Sequence, residues 1–333
     1  MSPAAARPEK HTAIAALSFA VAVVLLGVKF WAFERTGSQA IFSDALESIV
    51  NVIAAAVAFG VLAYAGQPAD RDHPYGHGKV EFFSAAFEGG LIATAALVIL
   101  WQAGDALLHR VAPRELDFGL VLTLGAGIGN GVLGAFLIRY GKRHQSAAIE
   151  ADGHHVMTDF LTSLGVVGGL LMVRLTGLWW LDPVVAALMG LLLLVTGWRL
   201  VARALSGLLD AEDPELLRQL VALLGPRVRD GVIRVHHLRA IRAGRSRHIS
   251  AHLVVPEFWT VQEAHDAAEG LANSLMRELP GHSDIDFHTD PCERAYCGGC
   301  DLDACSVRAQ PFVALVPLTV DEAVAPDPDA HLA

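Results

Sequence analysis

Six apolar segments, each about twenty residues or longer, occupy the first two thirds of the sequence. They run near residues 13–33, 40–65, 82–109, 118–139, 147–175 and 180–204. A helix of this length crosses the hydrocarbon core of a bilayer while satisfying its own backbone polar groups. Hydrophobic residues make up 53% of the chain and charged residues only 18%, which is too apolar for an ordinary soluble protein. The sequence therefore predicts six transmembrane helices over residues 1–206, with the lipid bilayer as a partner.

Lysine and arginine residues in the short loops predict the orientation of these helices. Eight of them lie on the side that holds the two termini, against four on the opposite side. Because positive residues concentrate in cytoplasmic loops, both termini are expected in the cytoplasm. The expected location is the inner (plasma) membrane, as a multi-pass protein. The net charge of −10 argues against nucleic acid as a partner.

Two pairs of polar residues interrupt the second and fifth apolar segments. Glu47 and Asn51 are four residues apart, as are His155 and Asp159, so each pair shares one helix face. Polar residues at membrane depth are costly and usually mark an ion or substrate path. Together the pairs could supply four nitrogen and oxygen ligands for a divalent metal. Asp44 is a candidate neighbour of this site, and the alternative is a structural hydrogen-bond partner.

A second polar cluster lies between the second and third apolar segments. Asp70, His73 and His77 could bind a metal ion in this loop. The alternative is a polar loop whose charges are simply solvated.

From residue 207 onward the sequence is typical of a soluble domain. Its helical and alternating patterns follow the order α-β-β-α-β, at 214–224, 232–243, 248–255, 261–279 and 283–288. This order predicts a small sheet with helices on one face, in a domain covering 207–292. Residues 293–333 form a cysteine-containing tail of irregular pattern, in which 323–333 are expected to be disordered.

Histidine is dense in the predicted soluble domain. Acidic residues accompany the histidines, and the full set is His236, His237, His248, His252, His265, His282 and His288, with Asp284, Asp286 and Asp290. A single surface histidine is weak evidence for a site. So many on one small domain favour metal binding.

All four cysteines of the chain lie in one short segment, as Cys292, Cys297, Cys300 and Cys305. The central Cys-x2-Cys unit has zinc-finger spacing. The four thiolates could close one tetrahedral metal site, or add ligands to a site at His288 and Asp290. The alternative is a flexible tail of reduced thiols, since disulfides are disfavoured in the cytoplasm.

At this point the sequence resembles the cation diffusion facilitator family, most closely its bacterial zinc/proton antiporter branch, over about residues 10–292. The motifs that carry the resemblance are Ser43-Asp-Ala, Gln67-Pro-Ala-Asp, His73-Pro-Tyr-Gly-His-Gly-Lys79, His155-x3-Asp159 and His288-Thr-Asp290-Pro. The resemblance implies an α-helical membrane protein with six transmembrane helices and a C-terminal cytoplasmic α+β ferredoxin-like (metallochaperone-like) domain. It also implies a homodimer that exchanges a divalent metal ion for protons.

The resemblance further implies three groups of metal ligands and one ion pair. The membrane site falls on Glu47, Asn51, His155 and Asp159, and the loop site falls on Asp70, His73 and His77. The soluble-domain ligands fall on His236, His252, His265, His288 and Asp290, with His237 as an extra. The ion pair, a charge interlock in the family, falls on Lys79 and Asp210.

Two features depart from the pattern of that branch. The branch has two aspartates on the second helix where this chain has Glu47 and Asn51, which lowers the charge of the site and bears on which metal ion it prefers. The cysteine segment lies outside the basic pattern and could direct the soluble domain toward softer ions such as copper or zinc.

The function predicted from these observations is a proton-coupled antiporter, not an enzyme, that exports a divalent transition metal, with Zn²⁺ as the favoured ion. His155 must be neutral to hold metal and can carry a proton when empty. The alternatives are an exporter of Fe²⁺, Mn²⁺, Co²⁺ or Cd²⁺, and a membrane-anchored metal sensor. A membrane metalloprotease is disfavoured because the chain has no His-Glu-x2-His motif.

Overall fold

The computed structural model describes residues 8–144, 147–243, 246–279 and 282–326. The chain divides into two compact units. The first unit consists of residues up to 61 together with 84–204, and the second consists of 62–83 together with the residues from 205 onward.

Six long helices, α1 to α6, account for the six predicted apolar segments. They are α1 Pro8–Thr36, α2 Gln39–Ala65, α3 Val80–His109, α4 Leu116–Arg143, α5 Ala147–Thr176 and α6 Leu181–Leu208. All six are long and apolar enough to cross a membrane. The prediction of six spanning helices is confirmed. Most of the helices extend a few residues beyond the apolar segments, because polar residues at a helix end continue the helix without adding to its hydropathy.

Helices α4 and α5 pack with their backbones in direct contact. A Cβ atom built on Gly134 of α4 would lie 3.0 Å from the carbonyl oxygen of Gly153 on α5. A Cβ atom built on Gly153 would lie 2.6 Å from the backbone nitrogen of Ile138. Neither position has space for a side chain, so small residues allow this close approach. The contact holds the first half of α5, which carries His155 and Asp159, against α4.

The start of α2 is capped by a side chain from another helix. Asp182, near the start of α6, is buried. Its carboxylate accepts hydrogen bonds from the Ser38 hydroxyl at 2.5 Å and from the backbone N–H groups of Gln39 at 2.7 Å and Ala40 at 3.3 Å. The first N–H groups of a helix lack partners within the helix and carry partial positive charge. Asp182 satisfies both needs and thereby fixes the beginning of α2, the helix that carries Glu47 and Asn51.

The second unit contains a three-stranded sheet and shorter helices. Its elements are α7 Pro214–Leu224, β1 Arg234–Ala243, β2 Ser246–Val255, α8 Val261–Glu278, β3 His282–Pro291, a 3₁₀ turn Arg294–Gly299 and α9 Val320–Val324. Strand β2 lies in the middle, antiparallel to β1 and parallel to β3. The predicted order α-β-β-α-β is confirmed.

The helices and the sheet of this unit share one apolar core. Leu220 of α7, Leu253 of β2 and Leu275 of α8 are fully buried in it. Helix α7 begins after the N-cap Asp213, whose carboxylate accepts from the N–H groups of the first turn. The capping box of Thr260 and Glu263 starts α8.

Helix α9 contradicts the expectation of disorder after residue 322. A capping box of Thr319 and Glu322 starts this helix, and Ala323 is fully buried in the core that α7 and β1 share. Arg234 of β1 adds an ion pair with Glu322 at 2.9 Å. A five-residue helix is too short to show an apolar period, so only the Thr-x2-Glu spacing could have indicated it. Residues 327–333 lie outside the described part of the chain.

Asp182→Ala should lower the stability of the folded protein. The change removes the acceptor for two backbone N–H groups at a buried helix start, at a cost of about 1–3 kcal/mol. The melting temperature in detergent, followed by size-exclusion chromatography, measures the effect. Asp117→Ala is the control, because Asp117 pairs with Arg174 on an exposed surface and surface ion pairs contribute little. Equal melting temperatures for the two variants would contradict the capping role.

Candidate metal-binding sites

The two predicted membrane half-sites meet through Asn51 of α2 and Asp159 of α5. The amide nitrogen of Asn51 donates to both carboxylate oxygens of Asp159, at 3.1 and 3.0 Å. Glu47 lies one turn before Asn51 on α2, and His155 lies one turn before Asp159 on α5. Glu47, Asn51 and Asp159 are half-buried, whereas His155 is exposed in the single chain.

The orientation of the Asn51 amide bears on its expected role as a ligand. Its NH₂ group faces Asp159, so its carbonyl oxygen points elsewhere. An amide carries a donor and an acceptor at nearly the same positions, and a half-turn exchanges them. Asn51 can therefore neutralise part of the Asp159 charge as a donor, or offer an oxygen to a metal ion after that turn.

Asp44 belongs to a buried ion pair that the sequence did not reveal. Lys29 of α1 places its ammonium nitrogen 2.9 Å from a carboxylate oxygen of Asp44, and each of the two residues is only 2% exposed. The hydroxyl of Ser163 on α5 donates to the same oxygen at 2.9 Å. Lys29 also donates to the hydroxyl of Ser48 at 2.9 Å. This geometry favours the structural role of Asp44 over a role as metal ligand.

Lys29 went unnoticed because its only sequence signal is one lysine inside the apolar run of α1. A charge at that depth needs a partner, but the sequence does not tell which helix supplies it. The partner is Asp44, and the pair also ties α1 to α2 and, through Ser163, to α5.

The loop residues Asp70, His73 and His77 form a compact group in the second unit. Ligand atoms of the three residues lie within 4.8 Å of one another. His73 Nδ1 is 3.5 Å from one oxygen of Asp70, and His77 Nε2 is 3.4 Å from the other. His77 is buried, with its ring at the edge of Tyr64.

Backbone hydrogen bonds prepare Asp70 to bind a cation. The N–H groups of His73 and Asp72 donate to one carboxylate oxygen at 2.7 and 2.9 Å. The bond from His73, more than any other cause, holds the pKa of Asp70 below its ordinary value. The carboxylate is therefore ionised at neutral pH, and its second oxygen faces His77.

The strand register of the second unit aligns three histidines across the sheet. His236 of β1 pairs with His252 of β2, which pairs with His288 of β3. Asp290 follows His288 by two residues and so lies on the same face. One oxygen of Asp290 lies 3.0 Å from His236 Nε2 and 2.9 Å from His252 Nδ1, and the other lies 3.3 Å from His288 Nε2.

The charge of Asp290 suits a metal ligand. Partial burial acts to raise the pKa of Asp290, but hydrogen bonds with His252 and His236 outweigh it, and the pKa lies below its ordinary value. His236, His252 and Asp290 are the second group in the described residues whose ligand atoms lie within 4.8 Å of one another.

A β-bulge brings His237 to the same cluster. Simple alternation would place His237 on the opposite face from His236. The pairing register of β1 shifts between His236 and Arg239, and His237 has a left-handed φ of 50°. As a result the ring of His237 stacks on that of His252, with the centroids 4.9 Å apart. Burial and the neighbouring Arg239 lower the pKa of His237, which favours the neutral form that binds metal.

Other predicted residues lie outside these two groups. His265 is exposed on α8, where its ring lies 3.7 Å from Glu269 one turn later. His248 lies 3.7 Å from Asp284, and the side chain of His282 is outside the described part. Lys79 lies 2.8 Å from the carboxylate of Asp210.

The four cysteines line one cavity, although no three of their sulfur atoms lie within 4.8 Å of one another in the described part of the chain.

Comparison with known proteins decides the family. Residues 15–209 match the family model described as the cation efflux transmembrane domain. Residues 213–292 match the model described as the cation efflux protein, cytoplasmic domain. The chain belongs to the cation diffusion facilitator family. It is a multi-pass membrane protein and a cation efflux transporter rather than an enzyme.

Two relatives with matching sequences over most of their length agree with this assignment. The uncharacterized transporter sll1263 of Synechocystis is 40% identical over 84% of this chain and 90% of its own length. The cation-efflux pump FieF of Yersinia pestis is 31% identical over 88% of this chain and 96% of its own length. A solved structure of CzrB in its zinc form is 32% identical over 25% of this chain and 91% of that chain, with a TM-score of 0.24.

Lys29→Met should strongly destabilise the cation efflux domain. The change leaves the carboxylate of Asp44 buried without its cation, and breaking a buried pair from one side costs about 3–5 kcal/mol. The double variant Lys29→Met/Asp44→Asn should recover much of the loss, because it removes the orphaned charge. Yield and melting temperature of purified protein measure both effects.

Lys142→Met is the matched control for this pair, since Lys142 is exposed and lies 3.9 Å from Glu150. A double variant as unstable as Lys29→Met alone would show that the charge pairing is not the reason for the loss.

Proposed function

We propose that this transporter exports Zn²⁺ from the cytoplasm in exchange for protons. It acts as a homodimer in the inner (plasma) membrane, with both termini in the cytoplasm. The observation that carries the proposal is the contact between Asn51 and Asp159, which joins the polar pairs of α2 and α5 within membrane-spanning segments.

The charge of the membrane site supports a divalent cargo. Lys29 neutralises Asp44, which leaves Glu47 and Asp159 as the carboxylates of the proposed ligand set. Two negative charges balance one doubly charged ion, so the loaded site is close to neutral and tolerable at membrane depth. His155 adds a nitrogen ligand, and zinc accepts such a mixed set of nitrogen and oxygen atoms.

Proton coupling follows from competition for the same atoms. Zinc binds His155 only in its neutral form and binds carboxylates only when they are ionised. Protons on His155, Glu47 or Asp159 therefore exclude the metal, and the metal excludes the protons. A site that takes zinc on the cytoplasmic side and protons on the other exchanges the two.

The loop and sheet groups give the second unit its own metal ligands. The group of Asp70, His73 and His77 and the group of His236, His252 and Asp290 each combine imidazole nitrogen with a carboxylate. Their ligand types suit zinc. We assign them a regulatory role, in which bound zinc strengthens the homodimer.

His155→Ala and Asp159→Ala should each abolish zinc uptake into everted membrane vesicles while leaving the yield of folded protein unchanged. Each change removes one proposed metal ligand without opening a buried core. His154→Ala is the matched control, because His154 is an exposed neighbour that lies 3.8 Å from Glu150. Near-normal uptake by both ligand variants would exclude this transport site.

A wild-type protein whose zinc uptake moves no protons across the vesicle membrane would exclude the antiport mechanism.

Asn51→Asp should bind zinc more tightly than the wild type and turn over more slowly. The new carboxylate cannot donate to Asp159, so two negative groups would face each other until a cation enters.

Glu47→Ala should be far more damaging than Asn51→Ala, because it removes both a charge and a ligand. Zinc binding and zinc transport, measured side by side on the purified variants, test this order. A Glu47→Ala variant that transports normally would show that Glu47 is not a ligand.

A further inference from the structure

All four cysteine side chains of the chain line one small cavity in the second unit. The cavity measures about 10 Å³, room for about one water molecule. Cys297 and Cys300 are buried, while Cys292 and Cys305 are half-buried. Ile233 and Pro256 form part of its wall. The four cysteines thus line one cavity, although no three of their sulfur atoms lie within 4.8 Å of one another in the described part of the chain.

The segment that carries these cysteines has little regular structure. Between Pro291 and Thr319 its regular structure is the single 3₁₀ turn Arg294–Gly299. Tyr296 and Cys300 pack on Ile233 and Val254 in a small apolar cluster. A short segment with a small apolar core is often stabilised by a cross-link or a metal ion.

Donor groups contact the sulfur of Cys297 and the backbone carbonyl groups between the cysteines. The N–H of Ala309 donates to the sulfur of Cys297 at 3.4 Å. The guanidinium of Arg308 donates to the carbonyl oxygens of Cys297 and Cys300 at 3.2 Å, and to that of Leu302 at 2.5 Å. Hydrogen bonds and positive charge around thiolates are typical of the surroundings of metal–cysteine sites.

Two of the thiols, Cys297 and Cys292, differ in acid strength. The hydrogen bond from Ala309, aided by Arg308 and Arg294, lowers the pKa of Cys297. Burial raises the pKa of Cys292. The Cys297 thiol therefore ionises more readily than the Cys292 thiol.

We propose that Cys292, Cys297, Cys300 and Cys305 bind one zinc ion in a closed tetrathiolate site that fastens the C-terminal segment to the sheet. Zinc–sulfur bonds are about 2.3 Å long, so the sulfur atoms must move inward from their present positions. Cys292 and Cys305, at the two ends of the segment, are the half-buried pair. Four protein ligands leave no open position, which makes this a structural site that shares no ligand with the transport site.

Cobalt substitution of the full-length protein in detergent tests the proposal. The chain has four cysteines, all in this segment, so sulfur-to-cobalt charge-transfer absorption reports this site alone. Reduced, metal-free protein should gain this absorption with d–d bands of tetrahedral cobalt, saturating at one equivalent, and zinc should abolish it. Without metal all four thiols should react with a thiol reagent, and with zinc bound nearly all should be protected.

Two variants complete the design. Cys297→Ser/Cys300→Ser should lose the charge-transfer bands, whereas His252→Ala, which removes a ligand of the sheet group, should keep them. If the cysteine variant fails to fold, thiol protection in the wild type still decides the question. The proposal is overturned if cobalt produces no charge-transfer band, if zinc does not protect the thiols, or if the thiols of freshly prepared protein are paired as disulfides.

Discussion

The cost of placing charge inside an apolar helix bundle governs the first unit of this protein. A buried ion without a partner costs several kcal/mol, so a charged side chain there needs a complementary group, often on another helix. Lys29 and Asp44 meet this need for each other, and Asp182 meets it for the start of α2. With Asp44 neutralised, Glu47 and Asp159 remain as carboxylates that a divalent ion can balance. The structural pair thus defines the charge of the proposed transport site.

In the second unit, strand pairing brings the proposed metal ligands together. His236 lies sixteen residues before His252 in the sequence, and His288 lies thirty-six residues after it. All three become direct neighbours because β1, β2 and β3 pair in that register. The bulge at His237 adds a further ring to the same face. Asp290 then gathers three imidazoles around one carboxylate. A metal site on a sheet of this kind depends on register as much as on residue type.

Hydropathy and periodicity predicted the parts of the structure that depend on local sequence. The six spans, the order of elements in the second unit and the helix faces of Glu47 with Asn51 and of His155 with Asp159 all fall in this class. The partners of Lys29 and Asp182 could not be predicted, because they lie on other helices and packing alone brings them together. Helix α9 was missed because its stability comes from a cap and from burial of Ala323 rather than from its own length.

The anchoring of α2 restricts the movements by which the proposed zinc–proton exchange could open the site to each side of the membrane in turn. Asp182 joins the first residues of α2 to α6, and Asp44 joins the next turn to α1 and α5. Sliding of α2 alone would break these buried bonds, at about 3–5 kcal/mol for the ion pair. A low-energy transition therefore moves α2 as a rigid body with the helices it is bonded to. Helices then slide against one another only at contacts that hold no buried charge.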